Sequence, residues 1–196
     1  MSDLVIFEQQ IDPRGYEIVE APVVDKRPRV AQVRARGGGT DRRRLDKSTE
    51  LFLKFARTPP TPEGVLGFAN QFGLLQPSHQ KRPSEPLQVW YDRITRMREA
   101  VDLMDAGCLE DVCARTNDWT GTLRPRLIYN PAAHTALFCL QPTSLHDLLW
   151  LQLLTSCAVG ALFRQCEECG EPFRYGPGTE RRATARFCTD RCRKKR

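Results

Sequence analysis

The last thirty-one residues carry the feature that most limits what this chain can fold into. Two close cysteine pairs, Cys166/Cys169 and Cys188/Cys192, have the spacings C-x2-C and C-x3-C and are separated by eighteen residues. This arrangement is typical of a tetrahedral zinc site, because each pair can place two thiolates on one side of the ion. Four thiolates would fill the coordination sphere, so the spacing favours one structural zinc over a catalytic zinc. A redox or disulfide role is the alternative interpretation of the same cysteines.

The residues around the cysteines predict a zinc finger of the treble-clef type. Gly170 would relieve the tight backbone of a knuckle that holds Cys166 and Cys169. A β-hairpin would follow, and then a helix on which Cys188 and Cys192, four residues apart, share one face. The positive end of that helix would also favour the negative thiolates. The closing Phe-Cys-Thr-x2-Cys is similar to the FCS fingers of this class.

Composition and the first residues of the chain indicate the cellular compartment that we expect for the protein. A chain of 196 residues can form one substantial core and a small appended module. Its first residues lack a basic segment and a cleavage site, and no run of eighteen apolar residues occurs, so we expect neither a signal peptide nor a membrane span. Eight cysteines without an export signal predict a reducing, cytoplasmic compartment.

The net charge of +6 is concentrated in two segments. Residues 26–47 hold nine basic and two acidic residues, residues 166–196 hold nine basic and five acidic ones, and the rest of the chain carries −5. Such a distribution favours contact with a polyanion. Guanidinium groups also suit phosphates and guanine edges. We therefore predict that nucleic acid is bound by the cations of both segments, namely Arg42, Arg43, Arg44, Arg174, Arg181, Arg182, Arg186, Arg191, Arg193, Lys194, Lys195 and Arg196.

The first basic segment permits two interpretations. Val30–Arg36 has the pattern of an edge strand, and Gly37-Gly38-Gly39 follows it just before Arg42. A solvated, partly mobile arm is the simpler interpretation. The alternative is an arm that becomes ordered when it contacts phosphates. The three glycines do not match a nucleotide-binding loop, because the G-x-x-x-x-G-K-[ST] pattern is absent.

Hydrophobic periodicity predicts an α+β fold with a mostly helical body, short N-terminal strands, a β-hairpin and a C-terminal treble-clef-like zinc finger. We divide the chain into an N-terminal part with the basic arm (1–47), a helical body with the hairpin (48–163) and the finger (164–196). The expected elements are strands at Leu4–Phe7, Tyr16–Val19 and Val30–Arg36, helices opening at Ser48, Thr61, Ser84 and Thr143, a short helix around Leu109, and a hairpin from Leu123 to Leu140. The helix that opens at Thr143 is apolar through Leu162, which predicts a buried helix that leads directly into the finger.

The other reactive side chains form no recognisable active site. Their sequence neighbourhoods favour core packing over a second metal site for four further cysteines, Cys108, Cys113, Cys139 and Cys157. The three histidines have no ligand or triad spacing. Because no paired carboxylates, nucleophile elbow or phosphate loop occurs either, we do not expect an enzyme. An active site assembled from distant residues is the alternative.

An apolar helix leads into Cys166 and Cys169, an Arg-rich loop and a second cysteine pair. This order resembles bacterial CGNR-type zinc-finger proteins. The run from Phe52 to Leu75 is similar to the helical domain, often called ABATE, that precedes the finger in that family. The resemblance implies that the four cysteines are zinc ligands and that the protein is a transcription regulator. The Cys-Gly-Asn-Arg signature itself is absent, since Arg193 follows Cys192.

These patterns together predict a cytoplasmic zinc-binding protein that contacts nucleic acid, DNA rather than RNA, in a regulatory role. The alternative is an interaction or assembly module in which the zinc is a structural clip and the basic segments meet an acidic protein partner.

Overall fold

The structure, a computed structural model, describes residues 7–20, 30–39, 41–45, 50–76, 82–117, 123–130, 134–176 and 181–195. Helices and strands are mixed along this part of the chain, so the predicted α+β class is confirmed. The helices are α1 (Leu51–Arg57), α2 (Pro62–Phe72), α3 (Leu87–Asp105), α4 (Leu109–Asn117), α5 (Leu145–Ala158) and α6 (Asp190–Lys194). The strands are β1 (Phe7–Ile11), β2 (Tyr16–Glu20), β3 (Ala31–Ala35), β4 (Asp41–Leu45), β5 (Ser84–Pro86), β6 (Leu123–Asn130), β7 (Thr135–Pro142), β8 (Leu162–Gln165) and β9 (Pro172–Tyr175).

The chain forms two compact units, each assembled from three separate segments. Unit 1 contains Met1–Thr49, Thr58–Arg96 and Gly121–Leu148, and unit 2 contains Glu50–Arg57, Met97–Thr120 and Leu149–Arg196. Because each unit is assembled from segments that are not continuous in sequence, packing between these segments determines the units. The three-part division of the sequence analysis stays a prediction.

In unit 1, β3 is the central strand of a three-stranded antiparallel sheet in the order β2-β3-β5. The prediction of an edge strand at 30–36 was therefore wrong, because a short distant strand, Ser84–Pro86, pairs with its second side. The same pairing explains a second error. Ser84 was expected to cap the long helix, but it belongs to β5, and α3 begins at Leu87.

The predicted basic arm is partly a strand. Asp41–Leu45, which contains all three arginines of that run, pairs antiparallel with β1, with Arg43 opposite Gln9. Arg42 is exposed, and the side chains of Arg43 and Arg44 lie outside the described ones. Residues 41–45 therefore form a strand instead of a mobile segment, and contact of its arginines with a polyanion stays a prediction.

The glycine-rich loop before β4 surrounds a carboxylate of the protein itself. Asp12, which is only 5% exposed, accepts hydrogen bonds from the amides of Gly37 at 2.6 Å, Gly38 at 3.0 Å and Arg14 at 2.9 Å. Gly37 has a φ of 86°, a conformation that side chains with a Cβ rarely adopt. The amides that could have held an external phosphate are therefore used within unit 1.

Helix α2 starts where the sequence predicts, directly after Thr61. Thr61 is its N-cap, and its side chain accepts a hydrogen bond from the amide of Gly64 at 3.2 Å. Pro62 occupies the first helical position, where its missing N–H costs nothing. Gly73 closes the helix with a φ of 87°. Val65, Phe68 and Ala69 are buried along one side.

The predicted hairpin is present as β6 and β7, which pair antiparallel from Leu123↔Pro142 to Asn130↔Thr135. Leu127 and Phe138 are opposite one another and are 73% and 69% exposed. Helix α5 follows, and Leu145, Leu148, Leu149 are buried in it as expected.

The prediction that the helix opening at Thr143 leads directly into the finger was wrong. The helix ends at Ala158, followed by β8, whose first residue Leu162 is 48% exposed. The finger is therefore joined to α5 through a turn at Val159–Gly160 and a strand, not through a continuous helix. In the described residues, every helix is too short or too polar to span a membrane.

Candidate metal centre

The first cysteine pair lies in the tight turn between β8 and β9. These strands pair antiparallel from Leu162↔Tyr175 to Gln165↔Pro172. The amide of Cys166 donates to the carbonyl of Glu171 at 2.9 Å, and the amide of Gly170 donates back to the carbonyl of Cys166 at 2.9 Å. Gly170 has the expected positive φ, 69°. The knuckle is thus present, and the hairpin strands lie on either side of it rather than after it. Because β8 begins at Leu162, we use the name finger below for residues 162–176 and 181–195 instead of the predicted range 164–196.

The second pair lies at the start of helix α6. Thr189 is its N-cap, and the threonine hydroxyl oxygen accepts a hydrogen bond from the amide of Cys192 at 3.2 Å. Cys192 is helical, but Cys188 precedes the cap, so the expectation that both share one helix face was wrong. The N-cap residue Thr189 has an extended backbone, so the helix begins after it and does not include Cys188.

All four sulfur atoms converge on one point. The Sγ atoms of Cys166, Cys169, Cys188 and Cys192 lie within 4.8 Å of one another. Sγ of Cys188 lies 3.5 Å from that of Cys169 and 3.6 Å from that of Cys192. A tetrahedral ion with metal–sulfur bonds of about 2.3 Å places its ligands about 3.8 Å apart. The four cysteines therefore form a site that could hold one metal ion.

Neighbouring groups shift the pKa values of these thiols in different directions. Burial opposes the thiolate of Cys166, but the amides of Cys188, Cys169 and Glu168 lower its pKa to about 6. Burial and the three adjoining sulfurs raise the pKa of Cys188 to about 12. Four adjacent thiolates repel one another without a cation between them. A bound metal ion would remove that repulsion, which is why metal uptake by such a site releases protons.

The four ligands differ in exposure. Cys166 is 2% exposed, whereas Cys169 is exposed and the second pair is half-buried. The inner face of the finger is apolar, since Phe173 on β9 is 1% exposed. The site is thus anchored at Cys166 and open to solvent on the side of Cys169.

Two of the predicted nucleic-acid contacts, Arg186 and Arg181, have partners within the finger. Arg186 forms a two-pronged ion pair with Glu167, in which Nε and Nη2 each meet a carboxylate oxygen. Arg181 lies over the ring of Phe173, 5.4 Å from its centroid, and donates to the carbonyl of Arg174 at 3.2 Å. Arg174 is half-buried. The side chains of Arg186 and Arg181 therefore have partners within the finger, which spacing alone did not indicate.

The other finger cations are at the surface. Arg182, Arg191, Arg193, Lys194 and Lys195 are exposed, and the structure brings the last four together on and just after α6. Arg193 also pairs with Asp190 at 3.1 Å, on side chains that are 66% and 81% exposed. Arg196 lies outside the described residues. The cations nearest to Cys192 are thus directed to solvent or only loosely paired.

Thr189 and Glu167 are two further residues of the site that were not predicted from the sequence. A threonine directly before Asp190 and three residues before Cys192 is an N-cap signal, and it could have been recognised. Glu167 has no such signal, because its partner is distant along the chain.

The prediction that the remaining cysteines pack in the core was wrong for two of them. Cys108 and Cys113 are exposed, and Cys157 is half-buried with its Sγ 3.6 Å from Sδ of Met104. Cys108 lies directly before α4 and Cys113 lies in it. Several apolar or sulfur-containing side chains of this amphipathic helix are exposed to solvent. The side chain of Cys139 lies outside the described ones.

No known protein-family profile matches the chain, and no curated protein matches it. The resemblance to CGNR-type proteins therefore stays a prediction.

Proposed function

We propose that the four cysteines bind one structural zinc ion, and that the exposed cations of α6 contact nucleic acid, DNA rather than RNA, as part of a regulatory role in the cytoplasm. The observation that carries the proposal is the position of Arg191, Arg193, Lys194 and Lys195. They lie on or immediately after the five-residue helix whose first turn includes the ligand Cys192. A metal ion would fix that helix and hence the cations.

Zinc is favoured by the chemistry of the donor set. Four thiolates suit a soft or borderline cation, and a closed tetrahedral S4 site is typical of structural zinc. One zinc with four thiolates carries a local charge of about −2. The exposed cations on α6 offset that charge and would extend positive potential beyond it, where a phosphate backbone could bind.

Salt dependence distinguishes phosphate contact from other binding. If four phosphates are neutralised, the logarithm of the affinity for duplex DNA should fall with the logarithm of the salt concentration with a slope of about −4. We would load the chain with zinc, verify one ion per chain, and measure fluorescence anisotropy with labelled duplex DNA, duplex RNA and single strands. Affinity that does not change with salt, or no binding at low salt with zinc in place, would reject nucleic-acid contact.

A matched pair of variants locates the contact. Arg191→Ala with Lys195→Ala removes two exposed charges beside the metal centre and should reduce the salt slope by about 2. Arg57→Ala with Arg96→Ala removes two exposed charges elsewhere and should leave the slope unchanged. Equal loss in both variants would mean that only the net charge matters.

Docking to an acidic protein is the second candidate. It is favoured by the internal use of Arg186 and Arg181, which leaves fewer cations for phosphate than the sequence contains. Recovery of one stoichiometric acidic protein with the zinc-loaded chain after nuclease treatment would support this candidate, whereas loss of the partner on nuclease treatment would support nucleic acid.

A further inference from the structure

The beginning of helix α1 is tied to the finger by two polar contacts. The amide of Arg174 on β9 donates to Oε1 of Glu50 at 3.3 Å. One helical turn further on, Nζ of Lys54 lies 3.4 Å from Oε2 of Glu171, the residue just before β9. Both contacts belong to unit 2. They link the first turn of α1 to the strand that leaves the cysteine knuckle.

An aromatic contact lies on the same turn. The ring of Phe52, which is 1% exposed, meets the ring of Phe163 on β8 edge to face, with centroids 5.4 Å apart. Edge-to-face packing of this kind adds to the effect of burial. Glu50, Phe52 and Lys54 therefore contact both strands of the finger hairpin.

Helix α1 also contacts other helices of unit 2 at both of its ends. The carbonyl of Ala56 accepts a hydrogen bond from Nε of Arg98 on α3 at 2.8 Å. The amide of Phe52 donates to Oε1 of Gln152 on α5 at 3.2 Å. The first turn of α1 thus contacts both the finger and α5, whereas the last turn contacts α3.

A helix of seven residues is too short to be stable alone, so its packing partners decide whether each turn persists. The partner of the first turn is in turn fixed at the metal site, because the carbonyl of Glu171 accepts the amide of the ligand Cys166 at 2.9 Å. A displacement of the knuckle would therefore be transmitted to Lys54 through one residue, Glu171.

We infer that a metal ion held by the four cysteines docks the first turn of α1 on the finger, and that loss of the ion releases this turn while the last turn stays attached to α3. The cysteine centre would then control the order of a distant segment of the chain. The inference rests on the metal-binding part of the proposed function and is independent of nucleic-acid contact.

Hydrogen exchange on the full chain tests the inference. In the first turn, the amides of Leu53 and Lys54 donate to the carbonyl of Glu50 at 3.1 and 3.3 Å, so they report whether this turn is formed. We would compare the zinc-loaded protein with the protein treated with chelator and reductant. Removal of zinc should speed exchange of these two amides at least tenfold, with no change at Val65 and Ala69 of α2 in unit 1.

Two results would overturn the inference. One is equal exchange at Leu53 and Lys54 with and without zinc, while the amide of Cys192 loses protection. The other is a parallel increase in α2, because metal loss would then unfold the whole chain rather than release one turn.

Affinity provides the reciprocal test, because coupling between two events acts equally in both directions. Glu50→Ala removes the acceptor for the Arg174 amide and should weaken zinc binding at least threefold in a competition with a chromophoric chelator. Arg57→Ala, an exposed residue at the other end of α1, should leave the affinity unchanged. Equal affinities for both variants and the original chain would contradict the coupling.

The two proposals fail separately. If zinc binds and α1 responds while DNA does not bind, only the nucleic-acid proposal is rejected. If zinc and DNA bind and α1 does not respond, only the docking of α1 is rejected. If the chain binds no zinc ion, both are rejected.

Discussion

Asp12 shows how a single buried carboxylate can organise a glycine-rich loop. Its oxygens accept amides from both Gly37 and Gly38, twenty-five and twenty-six residues away along the chain. There is little room for a larger residue in this loop, because a Cβ at Gly38 would lie 2.7 Å from Oδ1 of Asp12 and 2.4 Å from Cγ of Arg14. The loop conformation therefore depends on this carboxylate.

We predict that Asp12→Ala destabilises the protein by about 2 to 3 kcal/mol, because amides in a partly buried loop lose a charged acceptor. The measurement is the free energy of unfolding in urea. Asp102→Ala, at an exposed position on α3, is the control and should change it by less than about 0.5 kcal/mol. A change in Asp12→Ala as small as that of the control would mean that water replaces the carboxylate without cost.

His146 couples the stability of the protein to acid pH. Burial and the charge of Arg93, followed by that of Arg96, lower its pKa to about 4, against an opposing effect of Asp147. In the unfolded chain the histidine has its ordinary pKa of about 6.5, so the unfolded state binds the proton more tightly. The resulting stability is complete above pH 6.5 and is lost as the pH falls from 6.5 towards 4.

From these two pKa values, we expect His146 to account for a loss of about 2 kcal/mol between pH 7.5 and pH 5. Urea unfolding at both pH values checks it. Glutamine cannot be protonated in this range. Between pH 7.5 and pH 5 the free energy of unfolding of His146→Gln should therefore fall by about 2 kcal/mol less than that of the original protein. Identical pH dependence in the two proteins would show that His146 titrates with its ordinary pKa.

At the scale of elements, α6 is the weakest part of the metal centre. It has five residues, none of them buried, so neither its length nor apolar packing stabilises it. Its start is capped by the hydrogen bond from the Cys192 amide to Thr189, and a metal ion would add a bond to the Cys192 sulfur.

Thr189→Ala should therefore weaken the helix by about 1 kcal/mol, which corresponds to a loss of about fivefold in zinc affinity. Thr189→Ser retains the capping hydroxyl and should restore most of the affinity. Chelator competition at fixed pH measures both variants. If alanine binds zinc as tightly as threonine, the cap does not contribute to the site.

At the scale of the whole molecule, the finger is packed into unit 2 and is not merely attached after it. Unit 2 joins the finger to α1, to α4 and to parts of α3 and α5. A ligand that binds only the folded state stabilises it by mass action, by about 2.7 kcal/mol when its free concentration is a hundred times its dissociation constant.

We expect zinc at such a concentration to raise the thermal unfolding midpoint of the reduced protein, and Cys169→Ser to abolish the effect. Cys108→Ser is the matched control, since this cysteine is exposed and outside the metal centre. Calorimetry with and without zinc compares the three proteins. A zinc effect that persists in Cys169→Ser but is absent in Cys108→Ser would place the metal at other cysteines.

The sequence by itself determined the features that depend on neighbouring residues. The spacing of Cys166/Cys169 and Cys188/Cys192 predicted the metal site, and Thr61-Pro62 predicted the start of α2, because knuckles and helix caps are built from a few consecutive residues. The α+β class followed from periodicity, which is also local.

Only the tertiary structure decided which partners distant residues find. Ser84 is a strand residue because β3 offers a free side, and Arg186 is bound within the finger because Glu167 lies opposite it. The run from Val159 to Leu162 leaves the helix because β8 pairs with β9. Each result depends on contacts between segments that are not adjacent in sequence, and the free energy of such contacts outweighs local preference.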